Sequence, residues 1–375
     1  AHQARFIRGG KKGIEKESLR VSPDGLITQT DHPQALGAPL THPYITTDYS
    51  EALLEFVTPP FENVREAQQF LYNIHHFVLN HMEHDEMLWN SSMPCRVAGD
   101  ESIRIAEYGS SNSGRFKVVY RRGLGHRYGR VMQTIAGVHY NYSVPERFWP
   151  IFQNLERDSS DLQTFISNSY LAMMRNVLRY GWLLYYLFGS SPAICKSFVG
   201  SKPHQFQEWD THSFYEAFGT TLRMSNVGYK NEVIDNLHVS YNNLDEYLTD
   251  LYRATETVYP PYSAFGVKVD GHYKQLNDHI LQIENEFYSP VRPKRPPQKG
   301  ERPLHALQTR GIGYVELRAI DINPYSPNGV SDDQMHFLEA FLLFCLLRKS
   351  PPITRKEREA INHNELLVAR HGREE

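Results

Sequence analysis

Glu15, Glu17, Asp48, Glu55, His139 and Glu316 together offer five carboxylates and one imidazole. Oxygen ligands with a single imidazole suit Mg²⁺ or Mn²⁺ rather than zinc, and such ions commonly bridge nucleotide phosphates. Taken one at a time, each acid reads equally well as a solvated surface group. Their local setting distinguishes them, because each strand-like segment alternates at period two and carries its reactive side chains on one face. In 13–21, Glu15 and Glu17 share a face with Leu19. In 51–58, Leu54 and Phe56 oppose Glu51 and Glu55. In 137–144, Val138, Tyr140, Tyr142 and Val144 oppose His139, Asn141 and Ser143. In 281–288, Leu281, Ile283 and Phe287 oppose Gln282, Glu284, Glu286 and Tyr288. In 314–321, Val315, Leu317 and Ala319 oppose Glu316 and Arg318.

Such segments, separated by long and partly helical connections, predict an antiparallel or mixed sheet with helices on one face and acids lining a concave other face. Apolar spacing predicts helices over 63–80 (Ala67, Phe70, Leu71, Ile74, Phe77, Val78), over 171–187, and around Leu244, Leu248 and Leu251. Ser331-Asp332-Asp333-Gln334 reads as a capping box opening a further helix that Pro351 stops. The proline-rich, basic stretch 290–303 predicts a segment without regular structure, either a solvated loop or one closing over phosphates. Gly123 to Gly129 misses the dinucleotide fingerprint by one residue and reads as a turn. No P-loop occurs, so a bound nucleotide would be held by metal and arginine. His75, His76, His81 and His84 do not share one helix face, which argues against a metal site there.

The whole-chain figures narrow the class. The 375 residues make one large domain or two ordinary ones. Forty Lys and Arg against 43 Asp and Glu give a net charge of −3, which is unlike a nucleic-acid or anionic-membrane coat. A hydrophobic content of 40% excludes intrinsic disorder. Cys95, Cys195 and Cys345 are too dispersed for a disulfide framework or a zinc site. The first residues hold no apolar signal core. The apolar stretch 171–188 contains Arg175 and Arg179, and 341–347 is too short to span a bilayer. The expectation is a cytoplasmic, monomeric protein acting on small molecules. The missing initial Met suggests that some residues precede Ala1.

Longer motifs then converge. Gly13-Ile14-Glu15-Lys16-Glu17-Ser18-Leu19-Arg20, Thr46-Thr47-Asp48-Tyr49-Ser50-Glu51, Ser92-Met93-Pro94-Cys95, Tyr108-Gly109-Ser110-Ser111-Asn112, Met132-Gln133-Thr134-Ile135-Ala136-Gly137-Val138-His139, Arg292-Pro293-Lys294-Arg295 and Val315-Glu316-Leu317-Arg318-Ala319 occur in order. Over about 13–348 the chain resembles the proteobacterial glutamate–cysteine ligases. The resemblance implies an α+β, glutamine-synthetase-like fold whose curved, mainly antiparallel sheet, backed by helices, forms a funnel-shaped active site. It implies one catalytic domain over 1–375 that lacks the family's C-terminal extension. It also implies that ATP phosphorylates the γ-carboxylate of glutamate and the amine of cysteine displaces phosphate. Glu15, Glu17, Asp48, Glu55, His139 and Glu316 would be the Mg²⁺ ligands. Arg318, Arg121 and Lys294 would hold ATP and the transferring phosphate, with Arg318, Arg121 and Arg223 as the catalytic residues. Arg223 would clamp the α-carboxylate of glutamate by a bidentate contact. Tyr49, Tyr120, Leu124, Gln133, Tyr229 and Tyr288 would line the acceptor pocket.

Two departures keep alternatives open. Tyr49 stands where better-known members carry Phe, and the tail 355–375 matches poorly, leaving an arginine of that region without a counterpart. The same chemistry with another amine is therefore the nearest alternative. A catalytically silent sensor of glutamate or nucleotide, and a metallohydrolase using the same acids, are the readings from other classes.

Overall fold

The computed structural model describes residues 4–83, 85–228, 237–298 and 300–374. Seven strands form the main sheet: β1 (Lys11–Val21), β2 (Ile45–Thr47), β3 (Leu53–Val57), β4 (Met87–Trp89), β5 (Val138–Ser143), β6 (Val291–Lys294) and β7 (Tyr314–Ile320). Their order is β6-β7-β5-β1-β3-β2, β4 pairs with the end of β1, and every pair is antiparallel. The larger helices are α1 (Val64–Leu79), α2 (Asn112–Tyr128), α3 (Trp149–Glu156), α4 (Leu162–Tyr180), α5 (Trp182–Phe188), α6 (Leu244–Glu256), α7 (Pro303–Arg310), α8 (Asp332–Leu347) and α9 (Arg355–His371). This is the expected α+β architecture with an antiparallel sheet.

Register decides which side chains meet. Glu15 faces His139 across β1 and β5, and Glu17 faces Glu55 across β1 and β3. Glu316 faces Asn141 on one side and Arg292 on the other. Alternation therefore puts these groups on a single face. The other face carries Ile14, Leu54, Phe56, Tyr140 and Leu317, all fully buried, against α1, α4 and α8. The sequence closes these helices with its own side chains. Asn63 caps α1 by accepting from Arg65 N at 2.8 Å. Asp161 caps α4 by accepting from Thr164 N at 3.0 Å. Ser331 and Gln334 complete the capping box of α8 at 3.2 and 2.9 Å.

Four expectations are corrected. Residues 281–288 are not a strand; Glu284–Glu286 form a 3-10 turn. Their alternating acids answer separate partners instead, Glu286 taking the buried Arg127 at 2.9 Å and Glu284 the exposed Arg302 at 3.0 Å. The 290–303 stretch does contain regular structure, because β6 lies at the sheet edge, where Pro293 can forgo its missing N–H. Gly123 to Gly129 is not a turn: residues through Tyr128 belong to α2, and only Gly129, with φ 81°, ends it. A Cβ at Gly123 would come within 2.1 Å of Gln282, so the glycine permits close packing inside a helix. The helix expected over 171–187 is two helices, α4 and α5, divided at Gly181.

The core face carries one unusual base. Lys16 is 1% exposed, and its Nζ lies 3.1 Å from Nε2 of His75, whose Nδ1 lies 2.9 Å from the Leu71 carbonyl. His75 is thus a core residue; His76 and His81 bond Asn80 and the Phe77 carbonyl, and His84 lies outside the described residues. Burial pushes Lys16 down from 10.5 to about 7. Between those values the unfolded chain binds a proton that the folded chain does not, so this residue makes stability rise with pH across that window. Lys16→Met is expected to raise the melting temperature at pH 6.5 and to remove the lysine's contribution to the rise between pH 7 and 10. A pH series of thermal melts, at which an unchanged slope would contradict the assignment, checks this. The three cysteines are free, and no helix among the described residues is long and apolar enough to cross a membrane.

Candidate active site

The polar face of the sheet, closed over by α2 and the 282–288 loop, borders a cavity of about 720 Å³. Glu15, Glu17, Asp48, Glu55 and Glu316 line it, as do Arg121, Lys294 and Arg318. Tyr49, Tyr120, Leu124, Gln133 and Tyr288 line it too. His139 is buried beneath the acids. The structure thus brings together most of the residues selected from the sequence. Tyr229 lies outside the described residues. Arg223 sits behind the cavity wall, 1% exposed, donating from Nη2 to the Arg318 carbonyl at 2.9 Å, with Nη1 3.9 Å from Asp321.

The acids come from elements of different kinds. Glu15, Glu17, Glu55, His139 and Glu316 are fixed by strand register, whereas Asp48 follows β2 in a turn whose N–H donates to the Leu53 carbonyl at 2.9 Å. His139 Nδ1 lies 3.1 Å from Glu15 and 3.9 Å from Glu316, and its Nε2 lies 3.7 Å from Glu17. Asn141 donates to the second oxygen of Glu15 at 2.8 Å, and Gly137 N donates to Glu17 at 2.6 Å. Glu15, Glu55 and His139 each present a ligand atom within 4.8 Å of the others.

Charge is unevenly distributed over this site. Burial, then the neighbouring Glu15, Asp48 and Glu17, push Glu55 well above the usual carboxylate range. Burial and Asp48 push Glu17 up to about 8. Burial and Arg318 push His139 down, which favours the neutral imidazole a metal needs. Glu316 shifts the other way: burial works against its charge, but Lys294, Arg318 and His139 outweigh burial and hold it low. Its oxygens lie 3.0 Å from Lys294 and 3.2 Å from Arg318. One part of the lining is therefore crowded with carboxylates that repel one another, and the adjoining part, beside Glu316, carries cations. The first suits a divalent cation, the second a phosphoryl group.

Arg121 reaches from α2 to the carbonyls of Asp48 and Thr47, the latter at 3.4 Å, and lies over the Tyr108 ring at 4.8 Å. It ties the helix bearing Tyr120 and Leu124 to the turn bearing Asp48. A buried network of Arg127, Tyr128 and Glu286, with contacts of 2.9 and 2.7 Å to Glu286, anchors the loop that carries Tyr288 to the same helix. Tyr49 is 1% exposed, and its hydroxyl has no hydrogen-bond partner. It rests where a Cβ at Gly125 would come within 2.5 Å, so the glycine makes room for the hydroxyl.

The sequence reading missed Arg292 as a site residue, along with Lys117, which also lines the cavity. Arg292 was legible in principle, since it alternates with Lys294 across Pro293, but the prolines concealed the strand.

The family model described as glutamate-cysteine ligase matches residues 1–368. That reach includes most of the tail expected to match poorly. The glutamate–cysteine ligase of Alcanivorax borkumensis is 52% identical over 378 residues, covering 100% of this chain and 72% of the relative. That of Hahella chejuensis is 51% identical over 362 residues, covering 96% and 69%. Among solved structures, the glutamate–cysteine ligase of Francisella tularensis in complex with AMP superposes with a TM-score of 0.93 at 39% identity, covering 98% of this chain and 72% of that one. A bifunctional glutathione synthetase from Pasteurella multocida gives a TM-score of 0.80 at 28% identity, covering 99% and 43%.

Proposed function

The chain belongs to the glutamate–cysteine ligase family, and from that premise we propose that it joins the γ-carboxylate of L-glutamate to the amine of L-cysteine at the expense of ATP. The terminal phosphoryl group of ATP passes to a γ-carboxylate oxygen, releasing ADP. The cysteine nitrogen then attacks the γ-carbon, the C–N bond forms, and the C–O bond to phosphate breaks. The amine loses a proton, and inorganic phosphate leaves. The observation that carries this reading is the juxtaposition, in one cavity, of a crowded carboxylate wall and a cationic wall meeting at Glu316.

Glu15, Glu17, Asp48, Glu55, His139 and Glu316 would hold Mg²⁺, or Mn²⁺ in its place. When bound, the metal neutralises phosphate oxygens and aligns them for in-line transfer. Arg318 and Lys294 bind the transferring phosphoryl oxygens, and Arg121 supports the same end of the site. Arg223, held by the Arg318 carbonyl and Asp321, recognises the α-carboxylate of glutamate. Residues 1–375 act as one catalytic unit, monomeric and cytoplasmic. The test is product mass: glutamate, cysteine, ATP and Mg²⁺ should give a γ-glutamyl dipeptide and ADP, whereas ADP without dipeptide would overturn the reading.

Tyr49 favours a second reading, in which another amine is the preferred acceptor. Its unpaired hydroxyl offers a hydrogen bond that a phenylalanine would not. Tyr49→Phe should leave stability unchanged or raised by about 1 kcal/mol. If cysteine is the acceptor, its kcat/KM changes little. A scan of amines in which Tyr49 selectively favours another one would establish the second reading.

A further inference from the structure

We propose that Arg292 is a third phosphoryl-binding cation of this site, acting beside Arg318 and Lys294. Arg292 is 9% exposed and borders the cavity. Its Nη2 donates to the Asn285 carbonyl at 3.1 Å, and its Nε has no hydrogen-bond partner. Among the described residues no carboxylate comes within ion-pair distance of it. Other buried arginines are better satisfied: Arg20 has Glu86 at 2.9 Å, Arg127 has Glu286 at 2.9 Å, and Arg175, which lacks a carboxylate too, donates to the carbonyls of Tyr241, Asn242 and Ser350. Glu316 is the Cα partner of Arg292 across β6 and β7, but its oxygens lie at ion-pair distance from other cations, one from Arg318 at 3.2 Å and one from Lys294 at 3.0 Å.

A buried guanidinium without a counter-ion is costly, and one that borders a cavity with a donor unspent is placed to take an anion from it. Here the anion must enter through the cavity. Arg292, Lys294 and Arg318 gather three cations beside Glu316; Lys294 and Arg318 hold that carboxylate, and Arg292 is the charge left to neutralise. A phosphoryl group carries enough charge and enough acceptor oxygens to do so, and a guanidinium fork matches its geometry. The identification of that group as the one transferred rests on the ligase reading above; the existence of the anion site does not.

The experiment is thermal unfolding of the whole chain, without metal or nucleotide, in inorganic phosphate, in acetate and in chloride at equal ionic strength. Phosphate should raise the melting temperature of the parent protein more than acetate or chloride does. Arg292→Met should melt no lower than the parent in chloride, since no ion pair is lost, and should lose most of the phosphate response. Arg292→Lys should keep part of it, and reports on the site if the methionine variant does not fold. In turnover, Arg292→Met should lower kcat about 10²–10³-fold, with KM for cysteine unchanged. A phosphate response absent from the parent, or undiminished in the variants, overturns the proposal. An equal, Arg292-dependent response to acetate overturns the phosphoryl assignment in favour of a carboxylate. A parent that makes no dipeptide but keeps an Arg292-dependent phosphate response overturns the ligase reading and leaves the anion site standing.

Discussion

Replacing Glu55 by glutamine leaves the metal-free protein as stable as the parent or more so, and reduces ligase turnover about 10²–10³-fold or further. The two effects have opposite signs because Glu55 is a charge the fold tolerates only for a ligand. Burial, and then Glu15, Asp48 and Glu17, raise its proton affinity above the ordinary 4.5. Above pH 4.5 the unfolded chain releases that proton while the folded chain still holds it. Stability therefore falls as pH rises until the folded carboxyl itself ionises. Glu17, raised to about 8, adds the same dependence between pH 4.5 and 8. The amide keeps the shape of Glu55 and removes one contribution to the repulsion. Thermal melts at pH 5 and pH 8 should show a smaller fall for Glu55→Gln than for the parent, and Mg²⁺ should stabilise the parent far more than the variant. A variant with normal turnover, or with an undiminished Mg²⁺ response, would show that Glu55 is not a ligand.

The second large effect belongs to Arg318. Its guanidinium lies 3.2 Å from Glu316 and 6.0 Å from the centre of the Tyr288 ring. The β7–β5 ladder shifts register between Leu317 and Ile320, the stretch that contains Arg318. Arg318→Gln should lower kcat about 10³–10⁵-fold, the range for an arginine that stabilises charge on a transferring phosphoryl group. It should also destabilise the fold by about 3–5 kcal/mol, because an almost fully buried carboxylate, Glu316, loses one of its two close cations and keeps Lys294 at 3.0 Å. Arg318→Lys separates the two effects. A lysine retains the charge and most of the stability, but a single ammonium does not reproduce the fork, so kcat stays well below the parent. Denaturant unfolding together with steady-state kinetics of both variants checks this. Equal kcat for the lysine variant and the parent would reduce the role of Arg318 to a structural one.

What was legible in the sequence follows from how each residue is positioned. Glu15, Glu17, His139 and Glu316 stand on strands whose neighbours alternate cleanly, and alternation is a local property that survives without knowledge of partners. Helix starts were equally legible, since Asn63 and Ser331 cap through residues two or three positions away. Glu284 and Glu286 mimicked that pattern and misled, because their alternation reflects separate long-range partners, Arg302 and Arg127. Gly123 and Gly125 read as turn residues because glycine is ambiguous from sequence. Only Gln282 and Tyr49, distant in the chain, show that these glycines clear space inside a helix. Arg292 was hidden by adjacent prolines, whose tolerance depends on β6 being an edge strand, a property of the assembled sheet.

The most direct test of the account follows oxygen rather than product. Glutamate labelled with ¹⁸O in its γ-carboxylate is turned over with ATP, Mg²⁺ and cysteine, and the released inorganic phosphate is analysed by mass. Phosphorylation of that carboxylate, followed by C–O cleavage, transfers one labelled oxygen to each phosphate formed, in step with the dipeptide. Unlabelled phosphate released alongside ADP would mean that water, not the γ-carboxylate, accepts the phosphoryl group, and would contradict the ligase mechanism assigned to this site.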